Sequence, residues 1–388
     1  MLQSEYIKIS FLKDYKKNFN FLSSKIRNSK ILIIGGAGTI GSHYIKECLV
    51  FQPDLITVVD SNENGLTELT RDLRSSNLLD YKPDYITYPV NLLSDTFDKV
   101  FYSNKWDIIA NFSAHKHVRS EKDKLSVEAL ITNNVFGSIK ILNLCTKNPP
   151  MFFFSVSTDK AANPVNIMGA SKAIMEKIIL SKKNNFRVTT ARFANVAFSN
   201  GSLLDGFNYR LNKNQPLSCP SDIKRFFVTP KQSGLICLLS TFLGKTGNVF
   251  FPKLDFENDQ IYFKDIALDF LNKKGLMPYY ASSEDDAKNF IINKNSKYPI
   301  YFFQTDTSGE KTFEEFYTKD EKFTLSKYES LGYIESESIT ISFTEIEKDF
   351  KNVFNNSSST KNDIIKVIKK YVPNFKHIET GKNLDQKM

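Results

Sequence analysis

The chain has 388 residues, enough for a large hydrophobic core and two lobes, and its formal net charge is +9. Its basic residues are interleaved with acidic ones, without a basic arm or an aromatic-basic repeat, which argues against nucleic acid as a partner. The four cysteines are scattered, as in a reduced, cytoplasmic protein without a disulfide framework. No apolar run approaches the ~20 residues of a membrane span, so no integral membrane segment is expected.

An amphipathic pattern marks the start of the chain, where Phe11, Leu12 and Tyr15 alternate with lysines. The pattern predicts a helical extension over residues 1–29. Such an extension could dock on the following domain, form an oligomer interface or touch a membrane surface. Docking or a homo-oligomer contact is favoured, because no lipid-anchor motif accompanies the helix.

A glycine-rich loop follows the first predicted strand, Lys30–Ile34, and precedes an apolar-periodic helix. Glycines at this spacing permit a tight turn, close approach of the backbone to a pyrophosphate, and close packing of helix on strand. The free N–H groups at the start of the helix would face the phosphates. The predicted phosphate-binding residues of this loop are Gly35, Gly38, Thr39, Ile40 and Gly41.

A second predicted strand, Leu55–Val59, ends in Asp60, about 20 residues after the glycine loop, as a dinucleotide-binding fingerprint requires. The carboxylate of Asp60 would accept hydrogen bonds from the adenosine ribose hydroxyls and repel a 2′-phosphate. Ser61 and Asn62 supply no cation to offset that repulsion. The cofactor predicted is therefore NAD, in preference to NADP.

Alternation of strand-like and helical runs continues through the chain, which predicts an α/β, Rossmann-type doubly wound parallel sheet. Ligands of such sheets bind beyond the carboxyl ends of the strands, where the polar motifs of this chain also fall. Further cofactor-binding residues are predicted there: Asn91, Leu92, Ser113 and Ala114. The remaining predicted strands are Tyr85–Val90, Asp107–Phe112, Met151–Val156 and Arg187–Phe193, with helical patterns at Val127–Thr146, Asn166–Ser181 and around Leu235–Leu243.

Thr158, Asp159 and Lys160 directly follow an apolar strand, and Met168 and Lys172 lie one helical turn apart shortly afterwards. This layout is that of a short-chain dehydrogenase active site with two changes. Met168 stands where such enzymes place a tyrosine base, and an acid and a base have been added beside the threonine. An enzyme that only oxidises an alcohol has no use for the added pair, whereas one that removes water from a sugar does.

Taken together, these motifs resemble the UDP-N-acetylglucosamine 4,6-dehydratases of bacterial surface-polysaccharide synthesis, which belong to the extended short-chain dehydrogenase family. The resemblance spans about residues 30 to 320, and Met168 resembles the subgroup that makes amino-sugar precursors. Departures are His115 in place of a tyrosine, Ala194 in place of a glycine, and an apparent insertion at 278–299. The motifs on which the resemblance rests are residues 35–41, 114–118, 134–137, 157–161, 168–172, 192–196, 225–229 and 309–311.

The resemblance implies a reaction and a role for each catalytic position. The C4 hydroxyl is oxidised by NAD, Lys160 removes the C5 proton, and Asp159 protonates the departing C6 hydroxyl. Thr158 would bond the C4 oxygen and Lys172 the cofactor ribose, while the base at C4 stays open between water, Asp159 and Lys172. The methionine subgroup further implies retention at C5. The predicted substrate-binding residues are Lys116, His117, Asn195, Arg225, for the diphosphate, and Glu310.

The predicted domains are an NAD-binding Rossmann domain over 30–250, a smaller C-terminal substrate-binding lobe over 251–354, and a linker with a last helix over 355–388. Residues from about 195 to 225 would also serve the substrate lobe. His115 and His117 do not predict a metal site, because no third ligand is near in sequence. Two alternatives remain. One is a nucleotide-sugar 4- or 5-epimerase on the same fold. The other is a non-catalytic NAD-binding protein, which Met168 and the altered loop at His115 would favour.

Overall fold

The computed structural model describes residues 11–81, 83–255, 259–290, 297–305, 314–337 and 339–377. Short 3₁₀ turns lie at Val118–Glu121 and Asp159–Ala161, and a π-helical segment lies at Thr132–Phe136. The strands are β1 (Lys30–Ile34), β2 (Leu55–Asp60), β3 (Asp84–Pro89), β4 (Ile108–Asn111), β5 (Phe152–Val156), β6 (Val188–Ala191), β7 (Asn195–Val196), β8 (Leu217–Pro220), β9 (Lys224–Val228), β10 (Asn248–Pro252), β11 (Gln260–Tyr262), β12 (Met277–Ala281), β13 (Lys297–Phe303), β14 (Phe323–Thr324) and β15 (Leu331–Glu335). The helices are α1 (Phe11–Lys17), α2 (Phe19–Ile26), α3 (Thr39–Leu49), α4 (Glu63–Ser75), α5 (Asp95–Tyr102), α6 (Lys124–Ile131), α7 (Gly137–Lys147), α8 (Ile167–Leu180), α9 (Leu203–Asn212), α10 (Pro230–Phe242), α11 (Phe263–Lys273), α12 (Glu284–Asn289), α13 (Phe343–Phe354) and α14 (Lys361–Tyr371).

A nine-stranded sheet forms the centre of the molecule, in the order β14-β15-β10-β6-β5-β4-β1-β2-β3. Within this sheet, β3, β2, β1, β4, β5, β6 and β10 are parallel to one another. Beyond β10, β15 and β14 are added in antiparallel pairing. The order 3-2-1-4-5-6 within it is that of a Rossmann sheet. The prediction of an α/β, doubly wound fold is confirmed, and the six predicted strands are present with ends that differ by up to two residues.

Helices cover both faces of the sheet, because each central strand is apolar on both sides. In β1, Ile31 and Ile33 pack into one core cluster, with α1, α2, α3, α4 and α10. Leu32 and Ile34 pack into the opposite cluster, with α6, α7, α8, α13 and α14. The carboxyl ends of the parallel strands are therefore held rigidly from both sides, and the polar motifs lie at those ends.

A smaller lobe carries two three-stranded sheets, β11-β9-β7 and β12-β13-β8. Its own apolar cluster is formed chiefly by α9, α11 and the strands β8 and β13. The segment 278–299, set apart above as an insertion, contributes most of β12, all of α12 and the start of β13. In this way its described residues add β12 and the start of β13 to the sheet that contains β8.

The two ends of the described chain pack on the sheet. The predicted domain boundaries at residues 250 and 355 stay predictions. From the stretch 251–354, β14 and β15 belong to the central sheet and α13 to the helical layer that covers it. The polar run at 355–360 is a short turn between α13 and α14. None of the helices in the described ranges is long and apolar enough to cross a membrane.

Candidate active site

The glycine loop between β1 and α3 forms a cradle that larger residues would fill. Gly35 has a φ of +75°, and a Cβ there would lie 2.5 Å from the Ser113 backbone nitrogen. A Cβ on Gly41 would lie 2.6 Å from the Gly35 carbonyl oxygen. Gly38 precedes α3 without a side-chain cap, which leaves the first N–H groups of the helix available to an anion. This geometry fits a dinucleotide pyrophosphate.

Asp60 stands at the carboxyl end of β2, beside the cradle. One carboxylate oxygen accepts a hydrogen bond from the Ala37 backbone nitrogen at 3.0 Å, and the other accepts one from Asn62 N at 2.9 Å. The side chain is thereby fixed where the fingerprint places the adenosine ribose. Its preference for NAD over NADP stays a prediction.

Two further predicted cofactor residues follow β3. Asn91 turns the chain into α5, since its Oδ1 accepts from Leu93 N at 2.8 Å. Leu92 is buried in the core against Gly137, where an added Cβ would lie 3.0 Å from a Leu92 methyl. Both residues lie at the carboxyl edge of the sheet, and the side chain of Leu92 packs in the hydrophobic core.

The loop after β4 runs from Ser113 to His117 and is tied down by Asn134. The amide of Asn134 accepts from His115 N at 2.8 Å, donates to the His115 carbonyl at 3.0 Å, and donates to Ser171 Oγ in α8 at 3.0 Å. Ala114 lies between His115 and Ser113, whose backbone faces Gly35 of the cradle. The loop and α8 are thus locked in one geometry.

A second loop crosses the cradle at Asn200. Its backbone nitrogen donates to Thr39 Oγ1 at 3.0 Å, and its carbonyl accepts from Lys116 Nζ at 2.9 Å. An added Cβ on Gly201 would lie 3.2 Å from His117 Nε2. Thr39, Lys116 and His117, predicted from separate motifs, therefore converge on one loop, whereas Ile40 is partly buried in the apolar cluster behind the cradle.

Thr158, Asp159 and Lys160 form a tight turn at the carboxyl end of β5. Asp159 is 2% exposed and its Oδ1 accepts from Thr158 Oγ1 at 2.7 Å. Lys160 Nζ lies 3.2 and 3.3 Å from the two oxygens of Asp159. The acid and the base are therefore in direct contact, and burial keeps competing water away from the acid.

Helix α8 presses against this turn. A Cβ on Gly169 would lie 2.6 Å from the Lys160 carbonyl oxygen, so glycine is what permits the approach. The carboxylate of Glu121 accepts from Ile167 N at 2.9 Å and from Met168 N at 2.8 Å, as a helix N-terminus favours. Met168 is buried, and its thioether offers no proton acceptor comparable to a phenolate.

Lys172, one turn further along α8, is also buried. Its Nζ donates to the Val156 carbonyl at 2.8 Å, two residues before Thr158. Burial lowers the pKa of Lys172 to about 8, against the opposing effect of Glu176. The amine thus lies beside the Thr158 turn with a pKa close to neutrality.

A buried carboxylate that sequence reasoning missed, Glu314, completes the cluster. Its Oε1 accepts from Asn195 Nδ2 at 2.5 Å and lies 3.6 Å from Arg225 Nε and 4.0 Å from Lys160 Nζ. Its Oε2 accepts from Phe226 N at 2.9 Å. Burial, followed by the charge of Asp159, raises the pKa of Glu314 to about 7, although Lys160 and Arg225 oppose the rise.

The carboxylates also act on Lys160. Burial would lower the pKa of Lys160, but Asp159 and Glu314 outweigh that effect and raise it above its ordinary value. Arg225 is 5% exposed and faces Glu314, so in this structure its guanidinium is engaged within the cluster. Its predicted contact with a substrate diphosphate stays a prediction, and Glu310 lies outside the described residues.

The structure thus brings Thr158, Asp159, Lys160, Asn195 and Arg225 into one buried cluster. Glu121 and Glu314 were missed because each acts across more than 40 residues of sequence. Glu121 lies in a run of charged residues, a pattern typical of a solvent-exposed surface. Glu314 lies just after the motif at 309–311 and is not part of it. Within the described ranges no group of three or more metal-ligating side chains occurs.

A Rossmann sheet with this cradle, and with an acid and a base in contact just beyond β5, fits the extended short-chain dehydrogenase class. The chain belongs to the polysaccharide biosynthesis protein family, whose profile matches residues 31–336.

Curated relatives carry several names. An uncharacterised membrane protein of Methanocaldococcus jannaschii is 27% identical over 81% of this chain and 87% of its own length. The inverting UDP-N-acetylglucosamine 4,6-dehydratase of Campylobacter jejuni is 28% identical over 58% of this chain and 66% of its own. The UDP-glucose 4-epimerase of Rickettsia bellii is 26% identical over 78% and 80%. Some relatives are longer: the chain spans 53% of the capsular polysaccharide biosynthesis protein CapD of Staphylococcus aureus, with 26% identity over 88% of this chain.

Solved structures share the fold. Pen from Bacillus thuringiensis superimposes with a TM-score of 0.66 at 21% identity, over 85% of this chain and 98% of that one. The dTDP-glucose 4,6-dehydratase DesIV from Streptomyces venezuelae, solved with NAD bound, has a TM-score of 0.56 at 16% identity, over 74% and 87%. At these identities the likeness concerns the fold.

Proposed function

We propose that the chain is an NAD-dependent nucleotide-sugar 4,6-dehydratase that converts UDP-N-acetylglucosamine to UDP-2-acetamido-2,6-dideoxy-hexos-4-ulose, a cytoplasmic step in surface-glycan or amino-sugar synthesis. The observation that carries the proposal is the direct contact of Asp159 with Lys160 at 3.2 Å, at the carboxyl end of β5. Elimination of water needs an acid and a base on neighbouring carbons of one sugar, and this pair supplies both.

The chemistry that NAD supplies when bound is acceptance of the C4 hydride and its later return to C6. The ketone formed at C4 acidifies the C5 proton. Lys160 takes that proton, Asp159 gives its own to the C6 oxygen, and water leaves. Lys160 then returns a proton to C5 as the hydride reaches C6. The proton released by the C4 hydroxyl restores the one that Asp159 gave up, so both groups end the cycle as they began it.

This sequence needs Lys160 neutral and Asp159 protonated. The neutral pair differs from the ion pair by one proton moved across a contact of 3.2 Å, with no change in net charge. A sugar that displaces the remaining water would favour the neutral pair, because a low dielectric penalises separated charges. The proton of the C4 hydroxyl goes to water, Asp159 or Lys172, and the pKa of about 8 at Lys172 suits it to such a relay.

Epimerisation is the competing function, because several relatives are named UDP-glucose 4-epimerases. An epimerase that acts only at C4 oxidises and reduces one carbon and leaves Asp159 and Lys160 without a task. A 5-epimerase would use a base at C5 but no acid at C6. The isotopic experiment below separates the three reactions.

The test is incubation of the protein with UDP-N-acetylglucosamine in heavy water, followed by NMR. A dehydratase gives a 4-keto-6-deoxy sugar with deuterium at C5 and none at C6 beyond background. A 4-epimerase incorporates no deuterium and keeps the C6 hydroxyl, and a 5-epimerase labels C5 without loss of water; either result would refute the proposal. Retention at C5 is the stereochemical expectation from Met168, and an inverted product would reverse that expectation alone.

Two variants test the assignment of the pair. Asp159→Asn and Lys160→Ala should each lower turnover by about 10²–10⁴-fold while NAD stays bound. The control is another Asp–Lys pair of similar type, Lys140 Nζ with Asp98 at 2.7 Å between α7 and α5. Lys140→Ala and Asp98→Asn should leave turnover within a factor of two or so of wild type. Near-normal turnover in both site variants would remove the pair from the mechanism.

A further inference from the structure

Glu314 is a buried carboxylate for which the reaction above has no chemical task. Its side chain is 2% exposed, and its Oε1 lies 4.0 Å from the amine of Lys160, which also contacts Asp159 at 3.2 Å. Burial of a carboxylate costs free energy of folding, so its presence here calls for a role that offsets that cost.

The carboxylate is held in place by groups from the smaller lobe. Asn195 Nδ2 donates to Oε1 at 2.5 Å, and the backbone nitrogen of Phe226 donates to Oε2 at 2.9 Å. Asn195 lies at the start of β7 and Phe226 in β9, two strands that are paired in parallel. Glu314 is therefore held by groups of two paired strands, at 4.0 Å from Lys160 Nζ.

Charge balance points the same way. Among the described residues, the charged groups that act on Lys160 are Asp159, Glu314 and Arg225, so this part of the cluster contains two cations and two carboxylates. Asp159 alone would draw the ammonium toward the β5 turn. A second carboxylate, 4.0 Å from the amine, gives it a second anchor and limits where it can stand relative to a sugar ring.

We propose that Glu314 is a positioning residue that holds the amine of Lys160 over the C5 carbon and sets how readily that amine releases its proton; this inference rests on the proposed dehydratase reaction. Because Glu314 raises the pKa of Lys160, removal of its charge moves the deprotonation of Lys160 to lower pH. A role confined to stability would not move that titration.

The first measurement does not depend on activity. Trace acetylation of the full-length protein with acetic anhydride over a pH series, read at Lys160 by mass spectrometry, reports the neutral fraction of this amine. In Glu314→Gln the midpoint at Lys160 should fall by about one pH unit or more. The matched control is Glu315→Gln, the adjacent acidic residue, which accepts from Asn163 Nδ2 at 3.2 Å and should leave the midpoint unchanged.

The second measurement is kinetic. With UDP-N-acetylglucosamine in heavy water, Glu314→Gln should lower the rate of C5 deuterium incorporation by about tenfold or more while NAD stays bound, and should move the acid limb of the kcat/KM profile to lower pH. Glu314→Asp keeps the charge but withdraws it by one methylene, so it should restore the titration more than the rate. If the glutamine variant does not fold, the aspartate variant tests the proposal instead: a Lys160 midpoint near wild type together with a lowered rate supports the positioning role.

The possible failures are distinguishable. If the wild-type protein makes no 4-keto-6-deoxy sugar, the proposed function is wrong, and the acetylation series still shows whether Glu314 controls Lys160. If the wild type dehydrates the sugar but Glu314→Gln leaves both the Lys160 midpoint and the C5 exchange rate unchanged, the positioning role is overturned.

Discussion

Lys172 illustrates how a single buried side chain links the site to the stability of the fold. Its amine is 4% exposed and donates to the Val156 carbonyl, and no carboxylate lies in salt-bridge distance of it among the described residues. Burial lowers its pKa from 10.5 to about 8, with Glu176 acting in the opposite direction. The unfolded chain therefore binds a proton at this position more tightly than the folded protein does.

This difference predicts the pH dependence of stability. Between pH 8 and 10.5 the unfolded chain binds more protons at Lys172 than the folded protein, so stability rises with pH across that window. Relative to Lys172→Met, which has no charge to lose, the wild type should gain about 2 kcal/mol between pH 7.5 and 10. Urea unfolding of both proteins at each pH measures the difference. Lys147→Met, at the exposed end of α7, should follow the wild-type curve; parallel curves for Lys172→Met would contradict the prediction.

At the level of single residues, the sequence predicted what local geometry dictates. The glycine cradle, Asp60 and the turn at Thr158 are each specified within one strand-loop-helix unit. Glu121 and Glu314 were not predictable in this way, because their partners come from distant parts of the chain. Arg225 was expected to meet a phosphate, and nothing in its neighbourhood in sequence indicated that Glu314 would engage it.

At the scale of elements, Arg192 joins three parts of the site that are far apart in sequence. It follows β6, and its guanidinium contacts Glu176 in α8 at 2.7 Å and Glu321, beyond the segment that carries Glu314, at 2.9 Å. Glu176 also accepts from Ser157 Oγ at 2.5 Å, next to Thr158. The network fixes the turn at Thr158, α8 and the segment after Glu314 relative to each other.

Removal of Arg192 should therefore cost far more than removal of an exposed arginine. Arg192→Met leaves Glu176, 3% exposed, without its main counter-charge, a situation that destabilises proteins by about 3–5 kcal/mol. Arg71→Met is the control, since its pair with Glu68 is 73% and 75% exposed and should contribute less than about 1 kcal/mol. Urea unfolding measures both. Addition of Glu176→Gln to Arg192→Met should recover part of the loss, and equal effects of the two arginine variants would refute the role of the network.

The predicted elements agreed best where one pattern persisted. Strands apolar on both faces and α8 were predicted nearly to the residue, because parallel sheets impose that composition. The helical pattern over Val127–Thr146 is instead interrupted by a π-helical segment at Thr132–Phe136, where Asn134 turns inward to the His115 loop. No proline marks that break, so periodicity alone could not show it. The strands of the smaller lobe were not predicted, and length is not the reason, since β13 has seven residues. β11 and β12 are only partly buried, so they lack the continuous apolar composition of the central strands.

At the scale of the whole molecule, the start of the described chain is anchored to a distant segment by one buried acid. Asp14 in α1 is 1% exposed and accepts hydrogen bonds from the backbone nitrogens of Glu329 and Ser330 at 3.0 and 2.7 Å. Its helix also packs against α10. The amphipathic pattern predicted docking or an oligomer contact; the structure shows docking, while a homo-oligomer stays a prediction. Sequence could not name Asp14, because an acid among lysines reads as solvated.

The anchor predicts a local rather than a global response to mutation. Asp14→Ala leaves two backbone N–H groups unpaired, at a cost of about 1–3 kcal/mol, so amide hydrogens of 11–26 should exchange about 10- to 100-fold faster. Exchange in β1 and α8 should change little, because their contacts lie in the two core clusters. Lys13→Ala, on the same helix but in an exposed pair with Glu329, should leave exchange in α1 and α2 near wild type. Hydrogen exchange with mass spectrometry measures all of these segments at once. Uniform acceleration across the sheet would show that α1 is part of the cooperative core, and no acceleration in 11–26 would show that the apolar contacts of Phe11 hold the helix without Asp14.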